Sequence, residues 1–325
     1  MDKSVFKNER DNRNILKLRR ILDELPPFCA EFFRGIDSIS STLTRLNYAY
    51  DLRTFFNFLL KEIPEFSDKT ISTFTFADLN RVTQTHIEMF IDYLNYYVKD
   101  EKEFENHEQS KARKLSTLRS MFKYFFKKGR IDTNVASLVD MPKRHEKSII
   151  RLEVDEVARL LDAVESGTKL SKNQQKYHKF TCKRDFAIVT LFLGTGIRIS
   201  ECVGLNVTDI DFNTRSFRVI RKGGNESTLY FGDEVNNALI SYLEVRKSIT
   251  PLEGHENALF LSIQRKRISI RAVENLVKKY ATLVTPLKKI SPHKQRSTLG
   301  TNLYRETGDI YLVADVLDHK DVNTT

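Results

Sequence analysis

The segment Ser291-Pro292-His293-Lys294-Gln295-Arg296 joins a serine and a proline, suited to the N-cap and first position of a helix, to a histidine and an arginine three apart. His293 and Arg296 then share one side of the first turn, where unpaired amides and the helix dipole favour an anion. A capped helix with a solvated His and Arg would carry the same residues, so the segment gains weight from its companions. Far upstream, Thr195-Gly196-Ile197-Arg198-Ile199-Ser200-Glu201 sets Arg198 behind a glycine-flanked threonine, with Glu201 three residues on and able to orient it. Between the two lies Lys222, and after both comes His319.

Such a set suits phosphodiester exchange. Attack at phosphorus builds negative charge on the non-bridging oxygens, and fixed bidentate cations stabilise it, arginine better than lysine. Arg198 and Arg296 are the candidates for that role. A leaving 5′ oxygen needs a proton, which a lysine on a hairpin turn can supply. Lys222 fits, with Arg221 beside it; a strand alternates faces, so only one of the two should point inward.

These groups need elements to hold them. Ser216–Ile220 and Thr228–Phe231 flank Lys222-Gly223-Gly224-Asn225 and read as strand, glycine turn, strand. Helical spacing of apolar residues recurs over Leu43–Leu60, Ile87–Tyr97, Leu115–Phe126, Arg151–Leu161, Phe186–Leu193, Glu234–Arg246, Ile270–Leu283 and Lys294–Tyr304. Residues 110 to 130 carry eight basic and no acidic side chains. There Leu115, Leu118, Met121, Phe122, Phe125 and Phe126 form an apolar stripe, leaving a basic face for phosphate or for water. Lys111, Arg113, Lys114, Arg119, Lys123 and Lys127, with Arg144 further on, are the DNA-binding candidates. Residues 141 to 148, MPKRHEKS, are polar and basic with one proline, and read as a linker.

Composition sets limits. The 325 residues suffice for two cores, and 53 basic against 43 acidic residues give a net charge of +10. Both sides of the linker share the excess, with 26 basic and 22 acidic residues through Ser148 and 27 and 21 after it. That favours polyanionic partners. Cys29, Cys182 and Cys202 lack disulfide or metal-ligand spacing, which fits a reducing compartment, and no bound metal is expected. The charged opening lacks the apolar stretch of a secretory signal, and no segment is long enough to enter a membrane as a spanning helix. A cytoplasmic location is expected. The absence of a GxxxxGK[ST] loop disfavours an ATPase.

The order Arg198, Lys222, His293, Arg296, His319 resembles the active site of the tyrosine recombinases, or phage-type integrases, which cut and rejoin DNA through a tyrosine. Val316-Leu317-Asp318-His319 followed by Asn323-Thr324-Thr325 is similar to that family's leucine-glycine-histidine segment and the threonine pair before its tyrosine. The resemblance implies a mainly α (α+β) fold. A helical, SAM-like core-binding domain at 1–140 would bind DNA, with a linker at 141–148. A mainly helical catalytic domain with a small antiparallel sheet would follow at 149–325. It assigns Arg198, Lys222, His293, Arg296 and His319 as catalytic. The implied activity is site-specific recombination through a 3′-phosphotyrosyl intermediate, for chromosome dimer resolution or for integration and excision of a mobile element. The single-protein Xer type is most similar. No cofactor is implied, since the phosphotyrosyl linkage conserves the bond energy.

Duplex DNA with inverted half-sites and a homotetramer on two sites are the implied partners. By resemblance the nucleophilic tyrosine falls just past Thr325, so this chain is expected not to cleave DNA by itself and to favour monomers. Tyr304 and Tyr311 alternate with apolar residues and read as packing groups. A type IB topoisomerase shares the catalytic set, and a non-catalytic DNA-binding regulator is the non-enzyme alternative. Three positions depart from the pattern: Gln295 where an apolar residue is usual, Ser297 in place of a second histidine, and Asp318 in place of glycine.

Overall fold

The computed structural model describes residues 3–99, 101–143, 149–221 and 226–318. Two compact units divide the chain, one of residues 7–147 and the other of residues 148–325 together with Met1–Phe6. Among the described residues the secondary structure is mainly helical, with two small antiparallel sheets.

In the first unit the helices are α1 (Lys3–Leu22), α2 (Cys29–Gly35), α3 (Thr42–Glu62), α4 (Phe76–Arg81), α5 (Gln84–Tyr93) and α6 (Glu108–Lys127). Hydroxyl caps start three of them: the side chains of Ser41, Thr75 and Thr83 accept from Thr44, Asp78 and His86 amides. The core is rich in phenylalanine, with Phe32, Phe55, Phe56, Phe66, Phe74, Phe90, Phe122 and Phe125 almost wholly enclosed. The apolar spacing predicted a helix from Ile87 to Tyr97, but α5 ends at Tyr93. Tyr97 instead enters β1 (Tyr97–Lys99), which pairs with β2 (Lys102–Phe104), and stacks between Tyr93 and Phe104 at 5.0 and 5.2 Å. Aromatic stacking outweighs continuation of the helical register. On α6 the expected stripe is buried from Leu115 to Phe125, while Phe126 lies outside it at 48 % exposure.

The second unit runs α7 (Val154–Ser166), α8 (Lys172–Thr195), α9 (Ile199–Gly204), β3 (Ile210–Asp211), β4 (Ser216–Ile220), β5 (Glu226–Tyr230), α10 (Asp233–Lys247), α11 (Ile270–Val284), α12 (Pro292–Thr307) and α13 (Ile310–Val316). The predicted segment Phe186–Leu193 is the buried C-terminal half of α8, whose N-terminal half is polar and solvated. Strands β3, β4 and β5 form an antiparallel sheet in that order, Ser216 pairing with Tyr230 and Ile220 with Glu226. Phe217 and Val219 of β4 face the core while Arg218 and Ile220 face out. This phase carries Arg221 inward.

Candidate active site

Arg198 is placed by a helix that stops abruptly. Gly196 caps α8 at φ +60°, and a Cβ there would approach the side chains of Leu299 and Leu317 to 3.0 Å. The positive φ favours glycine, and any side chain there would also press on both leucines. The chain then turns through buried Ile197 so that Arg198 becomes the N-cap of α9. Glu201, one turn into α9, accepts the Arg198 backbone N–H at 2.9 Å through Oε2 and its Nη1–H at 3.2 Å through Oε1. The sequence reading of Glu201 as the residue that orients Arg198 describes this geometry.

Glu201 also serves a second arginine. Arg221 Nη1 donates to both Glu201 oxygens, at 3.2 and 3.1 Å, and Arg221 is only 7 % exposed. Its companions identify it: the parity of Phe217 and Val219 points position 221 at the site, a signal the sequence contained and the comparison with Lys222 obscured. Asp318, just beyond α13, completes the cluster. Its Oδ2 lies 3.3 Å from Arg198 Nη1 and 3.3 Å from Arg221 Nε, and its carbonyl accepts from Arg198 Nη2 at 3.2 Å.

Arg296 enters from α12, whose first turn begins after Ser291 in extended conformation with Pro292 next, as the motif implies; the Ser291 hydroxyl itself makes no cap bond. Arg296 is 4 % exposed and donates through Nη1 to the Gly196 carbonyl. Its buried Nη2 has no hydrogen-bond partner among the described residues. Burial first, then the positive charge of Arg198, lowers its pKa to about 10, with Glu201 opposing. It remains a cation at neutral pH. His293 emerges from the same turn, open to solvent on its outer side. Partial burial, then the charges of Lys294, Arg296 and Arg198, hold its pKa below the ordinary 6.5. The ring is therefore neutral at pH 7, able to donate one hydrogen bond and accept another. Gln295, between them, is fully buried, and neither amide atom has a partner among the described residues. That enclosure accounts for the apolar residue usual at this position.

Arg198, Arg296 and His293 thus converge, while Lys222 and His319 lie outside the described residues. Tyr304 and Tyr311 are surface residues, 48 % and 72 % exposed. In the first unit the basic candidates split. Arg113, Lys114 and Thr117 all reach the buried carboxylate of Asp51, Lys114 at 3.3 Å and Thr117 at 2.9 Å. Arg119 donates to the carbonyls of Ala136 and Val139, and Lys111 to Asn95. Lys123 and Lys127 are exposed. Arg144 lies outside the described residues. No group of His, Cys, Asp or Glu among the described residues could hold a metal ion, and no described helix is long and apolar enough to cross a membrane.

Residues 150–325 match the model of the phage integrase family, and residues 24–140 that of the phage integrase SAM-like domain. The chain belongs to the phage integrase family and is a tyrosine-type site-specific recombinase. It is 33 % identical over 314 residues to the tyrosine recombinase XerC of Caldanaerobacter subterraneus subsp. tengcongensis, covering 92 % of this chain and 82 % of that one. To the tyrosine recombinase XerS of Lactococcus lactis subsp. cremoris it is 29 % identical over 344 residues, covering 98 % and 95 %. The fold of this chain is also that of a lambda integrase dimer bound to a core site, with TM-score 0.63, 17 % identity and coverage of 92 % and 96 %. The XerH recombinase in its pre-cleavage complex with difH has TM-score 0.63 at 16 % identity, covering 87 % and 74 %.

Proposed function

We propose that Arg198 and Arg296 grip the scissile phosphate of a duplex DNA site and stabilise the charge that develops on its non-bridging oxygens. The observation that carries this reading is the buried Arg296 Nη2, which has no partner among the described residues, beside Arg198. A desolvated guanidinium N–H left unpaired costs about 1–3 kcal/mol, a cost that a bound phosphate oxygen recovers. Neutral His293, at the start of α12, is suited to a hydrogen bond with the same phosphate.

In the reaction, a tyrosine oxygen attacks phosphorus, the P–O5′ bond breaks, and a 3′-phosphotyrosyl link forms. As the resemblance implies, Lys222 donates the proton that the departing 5′ oxygen takes up, and His319 stabilises the charge at phosphorus or accepts the proton that the attacking tyrosine gives up. A 5′-hydroxyl from another strand then reverses the step, which is how cutting becomes exchange. The linkage keeps the bond energy, so no cofactor enters. The first unit holds the duplex through its exposed basic face, with Lys123 and Lys127 on phosphates. The substrate is a pair of sites with inverted half-sites, held by four protomers, an arrangement supported by the lambda integrase tetramer on a Holliday junction. The biological setting is chromosome dimer resolution or the integration and excision of a mobile element.

Selection of bound duplexes from a sheared genomic pool at near-physiological salt tests the reading. Enrichment of one locus with inverted half-sites is expected. Uniform recovery of fragments would instead point to topoisomerase-like or general DNA binding.

A further inference from the structure

We infer that Asp318 is a built-in competitor for the substrate phosphate, a carboxylate that occupies Arg198 and Arg221 until DNA displaces it. This rests on the reading that the phosphate binds at Arg198 and Arg296. Asp318 presents two oxygens to the cluster: Oδ2 lies 3.3 Å from both Arg198 Nη1 and Arg221 Nε, and the main-chain carbonyl meets Arg198 Nη2 at 3.2 Å. Two oxygens from one residue on the two terminal nitrogens of a guanidinium reproduce the contacts of a bidentate phosphate.

The backbone is held in an uncommon conformation to do this. Asp318 sits at φ +49°, in the left-handed region that glycine enters freely and aspartate enters at some cost. The family pattern has glycine here, which keeps the turn and omits the carboxylate. Asp318 is half-exposed, its side chain 42 % accessible, whereas Glu201 behind the same arginines is 4 % accessible. The two carboxylates therefore differ in kind. Glu201 is buried scaffold, and Asp318 is a surface anion that can swing away into water. Its departure uncovers Arg198 Nη1 and Nη2 together, the donors a phosphate needs. Recombination would then start only on DNA held firmly enough to win this exchange, so Asp318 acts as a threshold on substrate binding.

Titration of inorganic phosphate at constant ionic strength, read by calorimetry and by the thermal midpoint, tests the proposal on the chain as it stands. Asp318→Asn, which tolerates the same backbone conformation, is expected to bind phosphate at least about tenfold more tightly, the worth of a charge-assisted hydrogen bond. It should also lose stability in phosphate-free buffer and regain it with phosphate, because unpaired arginines remain. Asp318→Gly should bind as tightly as Asp318→Asn, without depending on the amide. Unchanged affinity in both variants, with weaker binding in Arg198→Ala and Arg296→Ala, overturns the competitor and leaves the site reading intact. Binding that survives Arg198→Ala and Arg296→Ala removes the site and the competitor together.

Discussion

Asp51 in the first unit and Glu201 in the second are both almost fully buried carboxylates that gather basic side chains, yet they leave those side chains in opposite states. Asp51 collects Arg113, Lys114 and Thr117, and all of them find their acceptor inside the unit. Glu201 joins Arg198 and Arg221 beside a third arginine, Arg296, which keeps a buried N–H without a partner among the described residues. Nearly the same ingredients make a structural tie in one place and, in the reading proposed above, a receptor for an anion in the other. What separates them is the balance of donors to acceptors, not the number of charges.

The comparison breaks most visibly if the arginines are removed. In a chain carrying the nucleophilic tyrosine, Arg296→Ala or Arg198→Ala should slow strand cleavage by about 100-fold to 1000-fold, the usual loss for one preorganised charge stabiliser. Covalent-adduct formation on a nicked suicide duplex measures it, and cleavage at the native rate in both would dissolve the distinction drawn above. The opposite experiment, Asp51→Ala, should leave chemistry alone and lower the stability of the first unit by about 3 kcal/mol, because Lys114 is left buried and unpaired. Urea unfolding reads this, and a loss below about 0.5 kcal/mol would show the tie to be ornamental. Next in size, Gln295→Met should stabilise the second unit by about 1 kcal/mol, since it replaces a buried amide that has no partner among the described residues with an apolar chain of similar volume. A destabilised variant would mean that the amide has partners the cluster conceals.

The smallest effect concerns protons. The folded protein holds His293 below its ordinary pKa of 6.5, so the unfolded chain takes up a proton first on acidification. The stability contributed by the neutral ring is complete above pH 6.5 and falls as pH drops through the lower, folded pKa. Unfolding midpoints measured on either side of that window should diverge less in His293→Gln than in the native chain.

Much of this site was legible in one dimension because its residues sit in local motifs. Gly196 before Arg198, and Ser291-Pro292 before His293 and Arg296, dictate their own backbone, and the helices they bound follow apolar spacing. The long-range partners were hidden. Which of Arg113, Lys114, Arg119 and Lys123 face solvent depends on Asp51 and on carbonyls near Val139, far off in sequence. Arg221 lay within reach of the parity of β4, but its bond to Glu201 spans the end of α9 and strands β3 and β4, which no spacing rule connects. Helix α13 and the β1–β2 hairpin escaped for a different reason: each is too short for periodicity to build a signal.

The Arg296 contact with the Gly196 carbonyl ties the arginine cluster to the completed fold. The grip exists only after the end of α8 and the first turn of α12 have met, and α12 is further fastened where the Leu152 amide donates to Thr298 Oγ1 at 2.9 Å. A nascent or partly melted chain therefore possesses Arg198 and Arg296 without their arrangement. In the reading proposed above, the wiring behaves as an interlock: the phosphate grip and the seating of α12 against the end of α8 depend on the same contact.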